Sequence, residues 1–225
     1  MRWTGLPEAR VNPNWRNAMP WRAQAPWWAL VLVVFTLAAQ GWPGVPQSWQ
    51  FERGAYAAGA WWQLLTAQWV HWSNLHAAVN AMGFAVLLLA FQRLVAGRLQ
   101  ALALLGGYAG VAMVIALDTH CARYAGASGA LHGLLAGSAL ALLLPAWQPA
   151  GPRRRAQWLG GLVLLGLVIK LALQHGAAQP SAPGWLGFAI YYPAHEAGAA
   201  GGLVAVLLVG ALQWRRWASD PGGGA

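Results

Sequence analysis

Six apolar runs of near membrane-spanning length recur between Ala25 and Leu212, and the arginines gather in every second connection between them. The runs are about Ala25–Ala39, Ser73–Phe91, Leu99–Leu117, Ser128–Leu144, Trp158–Leu173 and Ala194–Leu212. Arg2, Arg10, Arg16 and Arg22 precede the first. Arg93 and Arg98 lie between the second and third, Arg153 to Arg155 between the fourth and fifth, and Arg215 with Arg216 after the last. The intervening connections and the fifth run hold only Arg53, Arg123 and Lys170. Basic residues collect on the cytoplasmic side of membrane helices. The pattern therefore predicts an all-α polytopic membrane protein of six spans with both termini cytoplasmic. Residues 1–24 and 214–225 are the tails, and 25–213 form one membrane domain.

Composition agrees. Charged residues make up 8% of the chain and hydrophobic ones 58%, whereas a soluble domain carries about 25% charged residues. The net charge of +9 invites a nucleic-acid reading, but its placement encodes topology, so no nucleic-acid partner is expected. The single cysteine, Cys121, excludes an internal disulfide. Thirteen arginines against one lysine point to a GC-rich bacterial genome and so to a bacterial inner membrane. The polar, Trp- and Pro-rich start is unlike a cleavable signal peptide.

The external segment 43–70 is too polar to cross and too apolar to float free. Its Trp49, Trp61 and Trp62, with Trp69 and Trp72, suit the headgroup region, where indoles concentrate. In this topology the second, fourth and sixth spans all run inward from the external face. His71 and His76, Ser128 and His132, and His195 then fall at one depth near that face. Ionisable groups inside a membrane are costly and mark function.

The stretch Gly126-Ala-Ser-Gly-Ala-Leu-His-Gly133 sets Ser128 between Gly126 and Gly129 at the mouth of the fourth span. A serine hydroxyl becomes a nucleophile when a neutral imidazole within hydrogen-bond reach takes its proton, and His195 is the candidate. His195 lies three residues before Gly198, and Gly198 with Gly202 forms a small-xxx-small face that permits close helix packing in lipid. His76 and Asn80, spaced i and i+4, share one face of the second span. They and the Ser128 backbone N–H can donate to the oxyanion of an acyl-transfer intermediate. A buried carboxylate behind His195 would be expensive at this depth, so orientation is expected from packing by Gly198, Gly202 and residue 132. Glu196, about 100° round the helix from His195, cannot face Ser128 as His195 does. It reads as a helix N-terminal acid, as a partner orienting a neighbouring histidine such as His132, or as a group that recognises substrate. Asp118, His120, Cys121 and His175 read as solvated loop residues.

Three pieces together resemble a rhomboid intramembrane serine protease: Thr66…His71…His76…Asn80, Gly126-Ala-Ser128-Gly129, and Ala194-His195-x-x-Gly198-x-x-x-Gly202. The resemblance implies a six-helix core with Ser128 as nucleophile, His195 as general base, and His76 and Asn80 at the oxyanion site. It also implies a mobile external loop, here Gln174 to Pro193, and the fifth span as a gate for membrane-anchored protein substrates entering from lipid. Two positions depart from many relatives. Trp62-Gln63 stands where a Trp-Arg pair is common, and His132 stands where an aromatic stacks on the catalytic histidine. With the small size, the second departure is similar to the rhombosortase subgroup, thought to act near a Gly-Gly motif on C-terminal anchors of exported proteins. No cofactor or metal is implied. His195-Glu196 lacks the histidine three residues on that a zinc protease shows. The rivals are a catalytically silent binder of membrane clients and, with six histidines available, a His-ligated haem or metal protein.

Overall fold

The computed structural model describes residues 27–144, 153–176 and 187–219. The expected N-terminal tail, the start of the first run, the middle of the loop after the fifth and the last residues of the C-terminal tail lie outside these. The long helices are α1 (Trp27–Gly41), α5 (Asn74–Phe91), α6 (Gly97–Leu117), α7 (Ser128–Leu143), α8 (Arg153–Gly176) and α9 (Pro193–Ser219). Between α1 and α5 come the short helices α2 (Val45–Trp49), α3 (Arg53–Ala57) and α4 (Gln63–Thr66), with a two-residue strand β1 (Phe51–Glu52). Strand β2 (Arg123–Tyr124) precedes α7 and pairs antiparallel with β1, Phe51 opposite Tyr124 and Glu52 opposite Arg123.

Among the described residues, four helices are long and apolar enough to cross a membrane: Asn74–Phe91, Gly97–Leu117, Arg154–His175 and Pro193–Leu212. The other two expected runs are shorter apolar helices, Trp27–Gly41 and Ser128–Leu143. Helix α7, with 16 residues, spans about 24 Å against a hydrocarbon core of about 30 Å. It sits inside the bundle, packed on α6 and α9. Buried Ala125 and Ala127 lead into it, so its first residue, Ser128, starts below the outer surface of the fold.

Glycine makes this packing possible. A Cβ on Gly198 would overlap the Gly129 carbonyl, one on Gly202 the Gly133 carbonyl, and one on Gly201 the Gly106 carbonyl. In lipid no hydrophobic force draws helices together, so close backbone contact and its dispersion energy hold α6, α7 and α9 in place. Helix α8 is the least enclosed of the four long spans, 11% buried over its most apolar window against 28–50% for the others. It touches α7 through Gly160, packed on the Ala139 carbonyl and Leu142, and through Leu167 beside Ala136.

The segment expected in the headgroup region folds into a brace of short helices and the β1 strand. Arg53, whose N–H bonds the Ala122 carbonyl, aims its guanidinium at the carbonyls of Ile115, Ala116, Asp118 and Cys121, closing the C-terminal end of α6. Gln63 is buried and accepts the Glu52 N–H at 3.1 Å. A neutral amide thus anchors the brace at the Trp-Gln position, and the cation comes from ten residues upstream. Trp61 and Trp62 are exposed, while Trp69 is half-buried and stacks 5.1 Å from Tyr108. Cys121 is likewise buried rather than solvated, being covered by the strand pair and Ile115.

Candidate active site

Helix α7 begins at Ser128 and α9 begins two residues before His195. Gly129 and Gly198 bring the two starts together, leaving the Ser128 Oγ 2.9 Å from His195 Nε2. His195 is buried, with its backbone N–H bonded to the Tyr192 carbonyl at 2.8 Å. Gly126 has φ +133°, and a Cβ there would strike His76, so only glycine fits the turn that delivers Ser128. The Gly126 N–H bonds the Ala67 carbonyl at 2.9 Å, and the Tyr124 hydroxyl donates to the Gly126 carbonyl at 2.8 Å. The brace therefore holds the serine loop from behind.

His132, one turn along α7 from Ser128, donates from Nδ1 to the Ser128 carbonyl at 2.7 Å, and its ring stacks on His195 at 4.2 Å and 12°. Its Nε2 accepts from the Lys170 ammonium at 2.7 Å. His195 Nδ1 meets the Gln174 Oε1 at 3.1 Å. The reading of residues 174 and 175 as loop is corrected: α8 continues through both. The expectation that packing alone orients His195 is corrected with it, since Gln174 reaches the imidazole from α8. Residues after Leu173 turn polar, which hid the last helical turn. The useful signal was Lys170 and Gln174 at i and i+4 on a span otherwise apolar.

Glu196 turns away from this cluster. It accepts from His175 Nδ1 at 3.0 Å, joining the C-terminal end of α8 to the N-terminal end of α9. The histidine it contacts is therefore His175, not His132, since residue 196 points along the α8 side of the helix.

On the opposite wall, Ser73 caps α5 by accepting the His76 N–H at 3.1 Å, and the Asn80 amide donates to the His76 carbonyl at 2.9 Å. That uses one of its two N–H groups. His76 Nδ1 is buried without a protein partner. Phe188 lies 4.7 Å from the His76 ring. His71 stands behind it, edge-on at 4.8 Å, and accepts the Ala127 N–H at 3.4 Å. A cavity of about 670 Å³ opens between these walls, lined among others by Ser128, His195, His76, Asn80, Lys170 and Gln174. Among the described residues no three His, Cys, Asp or Glu side chains converge as metal ligands.

Residues 58–212 match the family model described as Rhomboid domain, a stretch that contains every side chain of this cavity. The chain belongs to the rhomboid family. No curated protein and no solved structure matches it. Rhomboid membership and the apolar helices make it a multi-pass membrane protein. They point to the intramembrane proteases of that family, some of whose members are inactive.

Proposed function

We propose that this rhomboid is an intramembrane serine endopeptidase in which Ser128 is the nucleophile and His195 the general base. The observation that carries the reading is the 2.9 Å contact of Ser128 Oγ with His195 Nε2 at the edge of the cavity. Ser128 Oγ attacks the scissile carbonyl carbon as His195 Nε2 takes its proton. Charge collects on the former carbonyl oxygen, where the His76 ring N–H, the second Asn80 N–H and the Ser128 backbone N–H are the donors. Collapse breaks the C–N bond, and His195 returns the proton to the leaving amine. Water then attacks the acyl-Ser128 ester with His195 again as base, releasing the new carboxyl end.

The substrate is a membrane-anchored protein cut in or beside its transmembrane segment. Of substrate classes, the C-terminal Gly-Gly type anchor of exported proteins is favoured by His132, which departs from the common aromatic as in rhombosortases. The arginine distribution supports a bacterial inner membrane, cytoplasmic termini and a cavity opening to the external face.

A fluorophosphonate probe tests the chemistry. Purified protein should be labelled, while Ser128→Ala should not; an unlabelled wild type in several detergents would favour a silent client binder. Mature C-termini of exported proteins, compared between cells with wild-type protein and with Ser128→Ala, test the anchor class. Unchanged C-termini would remove it.

A further inference from the structure

We propose that Gln174 is a positioning residue that selects the tautomer of His195, doing with a neutral amide what a carboxylate does behind the histidine of a soluble serine protease. The inference rests on the Ser128–His195 reading above. For His195 to accept the serine proton, Nε2 must carry the lone pair, so the ring hydrogen must sit on Nδ1 and needs an acceptor. The Gln174 Oε1 is that acceptor, at 3.1 Å. An aspartate at this depth would bring a charge that is costly to bury; an amide oxygen brings none.

A second contact from the same helix supports the assignment. Lys170, one turn before Gln174 on α8, bonds His132 Nε2 at 2.7 Å. An ammonium only donates, and the Ser128 carbonyl at 2.7 Å from His132 Nδ1 only accepts, so the His132 hydrogen is fixed on Nδ1. Each imidazole of the stacked pair thus takes one partner from α8, and both carry their hydrogen on Nδ1. Residues 170 and 174 turn one face of α8 toward the site, although α8 is the least enclosed of the long spans. The groups facing His195 are Ser128 and His132 from α7, Lys170 and Gln174 from α8, His76 from α5, and Tyr192 just before α9, its ring 5.9 Å away.

The test is steady-state cleavage of a membrane-anchored substrate by full-length protein in proteoliposomes, with Gln174→Met and Gln174→Glu beside wild type. Methionine keeps the shape and leaves only a weak thioether acceptor. It should lower kcat about 10- to 100-fold and leave KM within about twofold, less than the ~10⁴ seen when an aspartate is replaced and the wrong tautomer held. Glutamate should recover most of the lost kcat. It should also move the acid limb of kcat upward by at least about one pH unit, because a carboxylate stabilises the imidazolium. Thermal melts in detergent separate misfolding from altered chemistry, and Gln174→Glu, keeping a hydrogen-bonding side chain, provides the folded control. Gln174→Met with wild-type kcat, or Gln174→Glu with an unmoved acid limb, overturns the proposal while the dyad stands. A wild type that neither cleaves nor takes a fluorophosphonate overturns the dyad and this inference with it.

Discussion

The His132 ring lies parallel to that of His195, 4.2 Å away and tilted by 12°, while its Nδ1 holds the carbonyl of Ser128. One side chain therefore steadies both members of the proposed dyad, the imidazole through its face and the serine through its backbone. The two contributions separate by substitution. His132→Phe keeps the flat surface and loses the hydrogen bonds, so it should retain turnover within about tenfold. His132→Ala loses both and should fall about 100-fold, in keeping with the cost of misplacing a reacting group by about 1 Å. The same proteoliposome assay checks this; equal losses for the two would assign the effect to the hydrogen bonds.

Gly198 sets the spacing of α7 and α9. A Cβ there overlaps the Gly129 carbonyl, backbone that cannot give way as a side chain would. Gly198→Ala should cost about 1–3 kcal/mol in stability, the usual penalty for overpacking, and should remove most activity by parting Ser128 from His195. Gly161, with open space around it, is the control, and Gly161→Ala should be neutral or slightly stabilising. Thermal melting in detergent and turnover are read together.

As proposed oxyanion donors, His76 and Asn80 would act in the transition state more than on the bound substrate. His76→Ala and Asn80→Ala should each lower kcat about 10²- to 10³-fold with a small change in KM, the effect of losing one such donor. Unchanged kcat for His76→Ala would remove it from the oxyanion site.

His71 lies outside the spans. Burial, then the neighbouring His76 imidazole, lower its pKa from 6.5 to about 3. An unfolded chain takes up a proton there below about pH 6.5 and the folded chain does not. Stability is therefore full above that value and declines as pH falls from 6.5 toward 3. His71→Gln keeps an acceptor for the Ala127 N–H and cannot be charged. It should flatten the decline by up to about 1.4 kcal/mol per pH unit, visible as a weaker dependence of melting temperature on pH.

The parts of this molecule legible in its sequence are those set by backbone approach and helical periodicity. Gly198 three residues after His195 places the histidine on the seam that faces Gly129, and His76 and Asn80 share a face because they are one turn apart. The parts that stay hidden depend on where helices end and which loops fold back. Gln174 and His175 look like loop because polarity rises after Leu173, yet α8 extends to Gly176 and presents Gln174 to His195. Arg53 stands ten residues before Gln63, and only the β1–β2 pairing reveals that it closes α6. Cys121 reads as solvated in a short polar loop, and that pairing buries it as well.

The most direct measurement is single-turnover cleavage of a membrane-anchored reporter by protein reconstituted in proteoliposomes, with Ser128→Ala and His195→Ala measured beside wild type. Each variant should insert normally and melt within a few degrees of wild type, yet lose at least about 10³-fold in rate. Cleavage at the wild-type rate by Ser128→Ala or by His195→Ala, in a preparation free of other proteases, would contradict the dyad.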